Sequence, residues 1–400
     1  MSPSVPSLAG MHRITIEERR ARLGVRHHLA EPAPSVGRAA EDLVGLHSSD
    51  PVTVYLSAFA RVEGFTPPDL EAALYERKTL LRMLGMRRTL FVATPEIAAI
   101  MDEACTKAFA PAERRRLIRM LEDQGIARDG ARWVDRVGKR TLAALRKRGE
   151  ATAVELTKDV PELGAKLTFG EGKTWGGQMG VSTRVLFLLA SQGLIVRGRP
   201  RGSWISGQYR WAELEAWIGA PLPTIGHAEA SAALLERWLR AFGPATITDL
   251  RWWTGWTVRQ TNAALDVVGA EEVDLEGDAT GYVLSGDLGP TGTPDRWVRL
   301  LPGLDPTVMG WKERDWYLGE HASMLFDRNG NAGPTVWADG RAIGGWTQKA
   351  DGTVAVELLE RVDRRTQTLV RQERDRLQAW LGDTRITPRF RTPMEKDLGG

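Results

Sequence analysis

One order of elements recurs along these 400 residues: short amphipathic helices, then two strand-like runs around a turn. It is plainest at VSTRVLFLLASQGL (181–194), an apolar helix closed by Gly193, which leads into LIVRGRPRGSWISGQYRW with a Gly/Pro turn over Arg199–Gly202. Upstream, IEERRARLGVRHHLA (16–30) and 37–46 read as helices, and a third opens at Ser49 or Asp50 as N-cap with Pro51 at its first position. A helix from Asp69 (DLEAALYERKTLLRML) and the strand RRTLFVAT (87–94) follow. Downstream, AEASAALLERWLRAFG, GPATITDLRWWTG and TVRQTNAAL form three helices. Gly243 and Gly255 break them, Thr248 and Asp249 supply caps, and the acidic strands VDLEG and GYVLSG come next. Helices that end in a hairpin have the order of a winged helix, a helix-turn-helix with a β-hairpin wing.

Three such units, each roughly 70–100 residues, exceed one hydrophobic core and predict several domains. The expected fold is α+β. It has an unstructured lead at 1–14, a winged-helix-like domain at 15–110, a basic one at 111–222 and a third at 223–290. Residues 291–400 change character: RWVRLLPGLDPTVMGW, NAGPTVWADGRAIGGWTQ and GTVAVELL are strand-like, with DG and GG turns. They predict a small antiparallel sheet, followed by a helix over 363–382 and a polar tail.

Charge is unevenly spread although the net value is only +3. Between Pro111 and Arg148, 12 Lys/Arg stand against 5 Asp/Glu, so 12 − 5 gives +7. Between Arg259 and Arg296 no cation occurs, while Asp266, Glu271, Glu272, Asp274, Glu276, Asp278 and Asp287 do. Such polarisation aims one face at a polyanion. A single cysteine, Cys105, excludes an internal disulfide and a Cys-cluster metal site, and fits a reducing compartment. No apolar run approaches the ~18 residues of a membrane span, and MSPSVPSLAG lacks the pattern of a signal peptide. His27-His28 point about 100° apart on a helix and do not share a metal. EGKTWGG (171–177) lacks the spacing of a phosphate loop. Neither metal nor cofactor is expected.

Within VGLHSSDPVTVYLSAFARV (44–62), an apolar pattern is interrupted by His47, Ser48, Ser49 and Asp50. Asp or Ser before Pro is a helix cap; an imidazole beside it is not needed for capping.

Four blocks, RRTLFVAT, GPATITDLRWWTGW, LLPGLDPTVMGWKER and FDRNGNAGPTVWADGRAIGGW, strongly resemble those of the bacterial winged-helix DNA glycosylases of the AlkZ/YcaQ type, over about 40–390. The resemblance implies tandem winged helices in a C-shaped arrangement with a basic concave surface, and excision of alkylated purines or unhooking of DNA crosslinks. The family's catalytic motif, Gln-x-Gln or Gln-x-Asp, corresponds here to His47-Ser48-Ser49 followed by Asp50; neither Gln is present.

A monofunctional glycosylase stabilises positive charge on the sugar as the base leaves and positions a water at the anomeric carbon. Asp50 would supply the negative charge, Ser49 would hold the water, and His47, near its own pKa at neutral pH, would orient it or take its proton. Arg87, Arg88, Lys173, Arg197, Arg199, Arg201 and Arg210 are the candidate contacts to DNA phosphates, which position but do not read bases. Trp204 is the candidate for stacking. The expected partner is damaged double-stranded DNA, bound by a monomer in the cytoplasm and associated with the nucleoid. The competing reading is a regulatory or architectural DNA-binding protein of the same fold without excision activity. A regulator is typically short, with a dimerisation element matched to half-sites; three wing-like units without a coiled-coil seam favour the enzyme.

Overall fold

The computed structural model describes residues 11–399 apart from 171, 174, 175, 278 and 388–390. The chain separates into two units: one continuous, Leu70–Ala230, and one split, residues up to Asp69 together with those from Ser231 onward. The stretch 15–110 is therefore divided, with the helices of 16–61 in the split unit and the strands of 81–93 in the continuous one.

The continuous unit is built on an antiparallel sheet ordered Leu90–Ala93, Leu81–Leu84, Ile195–Pro200, Tyr209–Glu213 and Glu150–Ala151. From Gly130–Arg148 the chain runs helix, strand Glu150–Ala151, helix Ala153–Asp159, helix Val181–Ser191 and hairpin Ile195–Pro200/Tyr209–Glu213. The apolar faces of the helices pack as one core around Leu117, Leu121, Trp133, Val137, Leu186 and Leu189. EGKTWGG falls at the tip of an additional hairpin, Lys166–Phe169/Gly177–Gly180; of this stretch Glu171, Thr174 and Trp175 lie outside the described residues.

One expected helix is corrected here. The helix from Asp69 ends through a π turn, Ala72–Glu76, and Leu81–Leu84 is a strand, with Arg82 paired to Val92 on one side and Arg197 on the other. LLRML is apolar at both helical and strand spacing, and short apolar runs do not distinguish the two; cross-strand partners decide.

In the split unit, helices His227–Phe242, Ile247–Thr254 and Val258–Val268 precede the hairpin Glu271–Leu275/Ala279–Val283, in which Val273 faces Gly281. Thr246 with Asp249 and Thr257 with Gln260 form capping boxes, so Thr246 rather than Thr248 starts the second of these helices. Gly255 ends that helix at φ +79°, a left-handed conformation that a Cβ disfavours. Arg13–Ile14, expected in an unstructured lead, is a short strand parallel to Glu271–Leu275, because Ile14 fills the small core of Val273, Leu275 and Val283. Residues 1–10 lie outside the described residues.

The predicted C-terminal sheet has four antiparallel strands in sequence order, Val298–Leu301, Thr335–Ala338, Arg341–Gln348 and Val354–Leu358, with helix Arg364–Leu381 packed on it. The polar tail is instead a helix, Pro393–Gly399, lying on Arg341–Gln348. Met394 is completely buried there, and a Cβ on Gly345 would come within 2.6 Å of its Cγ, so only glycine admits the helix.

Candidate active site

Helix Pro51–Arg61 carries the polar corner. Asp50 caps it, its Oδ1 accepting from Val52 N–H at 2.9 Å, and Pro51 pre-sets the first turn. Nearly every residue of the helix is buried, including two that sequence reasoning passed over, Ser57 and Arg61. Arg61 meets the loop residue Asp305 with neither side chain exposed to solvent (0%/0%), Nη2 on Oδ1 at 2.7 Å and Nη1 on Oδ2 at 2.9 Å. Ser57 Oγ donates to Oδ2 at 2.6 Å. Burial pushes the Asp305 carboxyl up, but the Arg61 charge and the hydrogen bonds from Arg61, Ser57 and Thr307 N–H outweigh it, holding the carboxyl below its ordinary range.

The network reaches His27. Its Nε2 lies 3.2 Å from Ala241 O, a pure acceptor, so Nε2 bears the proton and Nδ1 accepts from Thr307 Oγ at 2.9 Å. Thr307 Oγ in turn accepts from Arg61 Nη2. Burial, with the Arg61 charge second, lowers the imidazole to about 3, so it is neutral. Thr53 Oγ donates to Gly303 O. These bonds fasten the helix to the loop 303–307 and give its capped end a fixed position.

At that end lies a cavity of about 60 Å³. The helix start contributes Asp50, Val52, Thr53 and Leu56, and the walls come from Pro302–Leu304, Asn331–Pro334, Trp346–Gln348 and Glu395. It has room for one or two waters. Asp50 is half-buried at its edge; Ser49 is half-buried and His47 only 6% exposed, and neither is among the lining residues. Glu395 had no sequence signal, since it sits in what reads as a tail.

The DNA candidates lie in the continuous unit and divide by environment. Arg87 and Arg88 are exposed at the tip of the first hairpin, both at positive φ (52° and 63°). Such strained backbone in non-glycine residues is often found where function demands it. Arg88 also pairs with Glu113 at 2.8 Å. Lys173 and Arg201 are exposed, and Arg210 and Trp204 half-buried. Arg197 is different: it stacks 3.7 Å over Trp211, and burial lowers its guanidinium to about 10. Arg199 is held by Glu71 at 2.8 Å and Glu76 at 3.5 Å. Arg184, on helix Val181–Ser191, was missed by sequence reasoning. Burial, then the charge of Arg116, lowers its pKa; Glu113 opposes and Arg88 adds to the lowering, so two further arginines lie near it.

Among the described residues no group of three or more His, Cys, Asp or Glu is arranged to hold a metal, and no helix is long and apolar enough to cross a membrane.

The family model for AlkZ-like DNA glycosylases matches residues 40–380. Among solved structures, DNA glycosylase AlkZ of Streptomyces sahachiroi is similar, with a TM-score of 0.72 and 22% identity over 94% of this chain and 98% of that one. None of the curated proteins matches.

Proposed function

The chain belongs to the AlkZ-like DNA glycosylase family, and from that premise we propose that it hydrolyses the N-glycosidic bond of alkylated or bulky adducted purines in duplex DNA, crosslinked purines included. Alkylation leaves a cation on the purine, so the base is already a good leaving group and the enzyme's task is charge and water. Asp50 carries this reading: it is a half-buried carboxylate at the edge of a cavity, on a helix fixed by the buried Arg61–Asp305 pair. In a site of low dielectric its charge opposes the cation that develops on the sugar. It also accepts the proton of the attacking water. Ser49 and His47 stand beside it, and the burial of His47 supports a role behind Asp50, orienting the corner rather than touching DNA.

Two stretches, 130–213 and 227–283, run helix, strand or bridge, two helices and hairpin. That order supports reading them as winged helices. Arg87, Arg88, Lys173, Arg201 and Arg210 are proposed to meet phosphates, with Trp204 stacking, while Arg197 and Arg199 stiffen the wing. A contact set of this kind scans any sequence, as a lesion enzyme must. The lesion is reached by flipping the nucleotide or, where it distorts the duplex, in place. The enzyme is proposed to act as a monomer on nucleoid DNA.

The test is excision. Purified protein is incubated with duplexes containing N7-methylguanine, 3-methyladenine or an interstrand crosslink, and abasic sites are counted. Abasic product from the unaltered chain, lost in Asp50→Ala, is the expected result. Tight, salt-sensitive binding with no product on any lesion would overturn the substrate assignment.

A further inference from the structure

The cavity beside Asp50 holds a second carboxyl. Glu395, on helix Pro393–Gly399, is completely buried (0%) and lines the same cavity. Its Oε2 is occupied by its own helix start, accepting from Thr392 N at 3.0 Å and Thr392 Oγ at 3.1 Å. Its Oε1 is buried and has no hydrogen-bond partner among the described residues. Capping alone needs no such burial: Glu155, which plays the same part with Thr152, stays half-exposed. A buried polar atom without a partner requires a reason.

Three other polar side chains of the cavity are committed. Gln348 donates to Gly352 O and Thr384 O and accepts from Ile386 N; Thr53 donates to Gly303 O; Asn331 donates to Asp327. Gly333 approaches so closely that a Cβ there would fall 2.8 Å from Glu395 Oε2. The two carboxyls share the lining of a space of about 60 Å³, enough for one or two waters. Glu395 also lies beyond residues 40–380 matched by the family model.

We propose that Glu395 is a positioning residue for hydrolysis, holding the nucleophilic water in this cavity against Asp50. This rests on the glycosylase reading above. Burial raises the Glu395 carboxyl against the hydrogen bonds from Thr392 and the charge of Arg391, and the Asp50 charge adds a smaller push upward. Glu395 Oε1 hydrogen-bonds to the water while Asp50 accepts from one of its hydrogens. A lone pair remains for attack. The water oxygen bonds to C1′ of the sugar, the C1′–N bond breaks with its electron pair leaving on the base, and the water proton passes to Asp50.

The experiment is single-turnover excision from an N7-methylguanine duplex at saturating protein, with duplex Kd and Tm measured alongside. E395A is expected to slow excision at least about tenfold, the scale of losing one positioned hydrogen bond at a reacting group, with Kd little changed and a Tm that falls with the lost acceptor for Thr392 but stays well above the assay temperature. E395Q keeps an acceptor for Thr392 and a hydrogen-bonding group for the water, and stays within about threefold of the unaltered chain, since holding the water requires a hydrogen bond and no charge. E395A excising at the unaltered rate, or slowing only as binding or the folded fraction at the assay temperature is lost, overturns the proposal. Where E395A does not fold, E395D decides: it keeps an acid at the helix start but withdraws it by one methylene, so slow excision supports the role and an unaltered rate overturns it. No excision by the unaltered chain removes the glycosylase reading and this one with it, a result distinct from an active enzyme indifferent to position 395.

Discussion

Arg61 and Asp305, 244 residues apart in sequence, meet as a two-pronged ion pair with neither side chain exposed to solvent. The pair fastens the helix behind Asp50 to the loop that walls the cavity, so it links packing directly to the site. Breaking such a pair leaves a buried charge uncompensated. Arg61→Ala or Asp305→Ala is expected to cost about 3–5 kcal/mol, read as a lower urea midpoint. Because the remaining charge causes most of the loss, Arg61→Met with Asp305→Leu is expected to recover a substantial part. A double variant no more stable than either single one would show that the pair's worth lies elsewhere.

Asp50 has a structural and a chemical part, and Asp50→Ser separates them. Serine caps about as well as aspartate, so Tm holds, whereas the charge is gone and excision falls at least about a hundredfold. Asp50→Ala is expected to lose a further ~1 kcal/mol of stability. Retained excision in Asp50→Ser would take Asp50 out of the chemistry.

His27 makes stability fall with acid. Its pKa drops from 6.5 in the reference state to about 3 in the fold, so over that window the unfolded chain binds the extra proton. The contribution is complete above about pH 6.5 and is lost as pH falls toward 3, at up to ~1.4 kcal/mol per pH unit. The check is the urea midpoint at pH 7, 5.5 and 4 for the unaltered chain and His27→Gln; the difference between the two is expected to shrink as pH falls. A constant difference would mean that His27 does not carry the effect.

The candidate phosphate contacts are expected to separate in a salt titration of duplex binding. Arg201→Ala and Lys173→Ala each flatten the log–log slope by about 0.9 for every phosphate left without its cation. Arg199→Ala changes it far less, because Glu71 and Glu76 already hold that charge. Equal slopes for Arg199→Ala and Arg201→Ala would refute the distinction.

Much of the secondary structure was legible because local chemistry decides it. Pro51 after Asp50, Gly255 closing one helix and Gly193 following another mark boundaries through φ preference and capping. The DG turns at Asp339-Gly340 and Asp351-Gly352 announced the C-terminal sheet, whereas Gly344-Gly345, expected as a turn, lies inside strand Arg341–Gln348 and pairs on both sides. Where local signals were silent the expectation failed: LLRML took its strand partners from Val92 and Arg197, and Arg13–Ile14 paired with a strand some 260 residues later. At the candidate site, Asp50 was visible as an acid before a proline, but Asp305 and Glu395 carried no mark of their positions.

That helices open at Asp50–Pro51 and close at Gly255, that the chain exceeds one core, and that one segment is strongly basic follow from the chain alone, because spacing, capping and charge act over a few neighbours. Which charges can act on a partner was settled only on folding. Arg197 and Arg201 are equivalent in the chain, yet one stacks on Trp211 while the other faces solvent. Glu395 shares a cavity with Asp50 across more than 340 residues. The energy of a charge depends on the dielectric and partners around it, and those are supplied by segments that become neighbours only when the chain has folded.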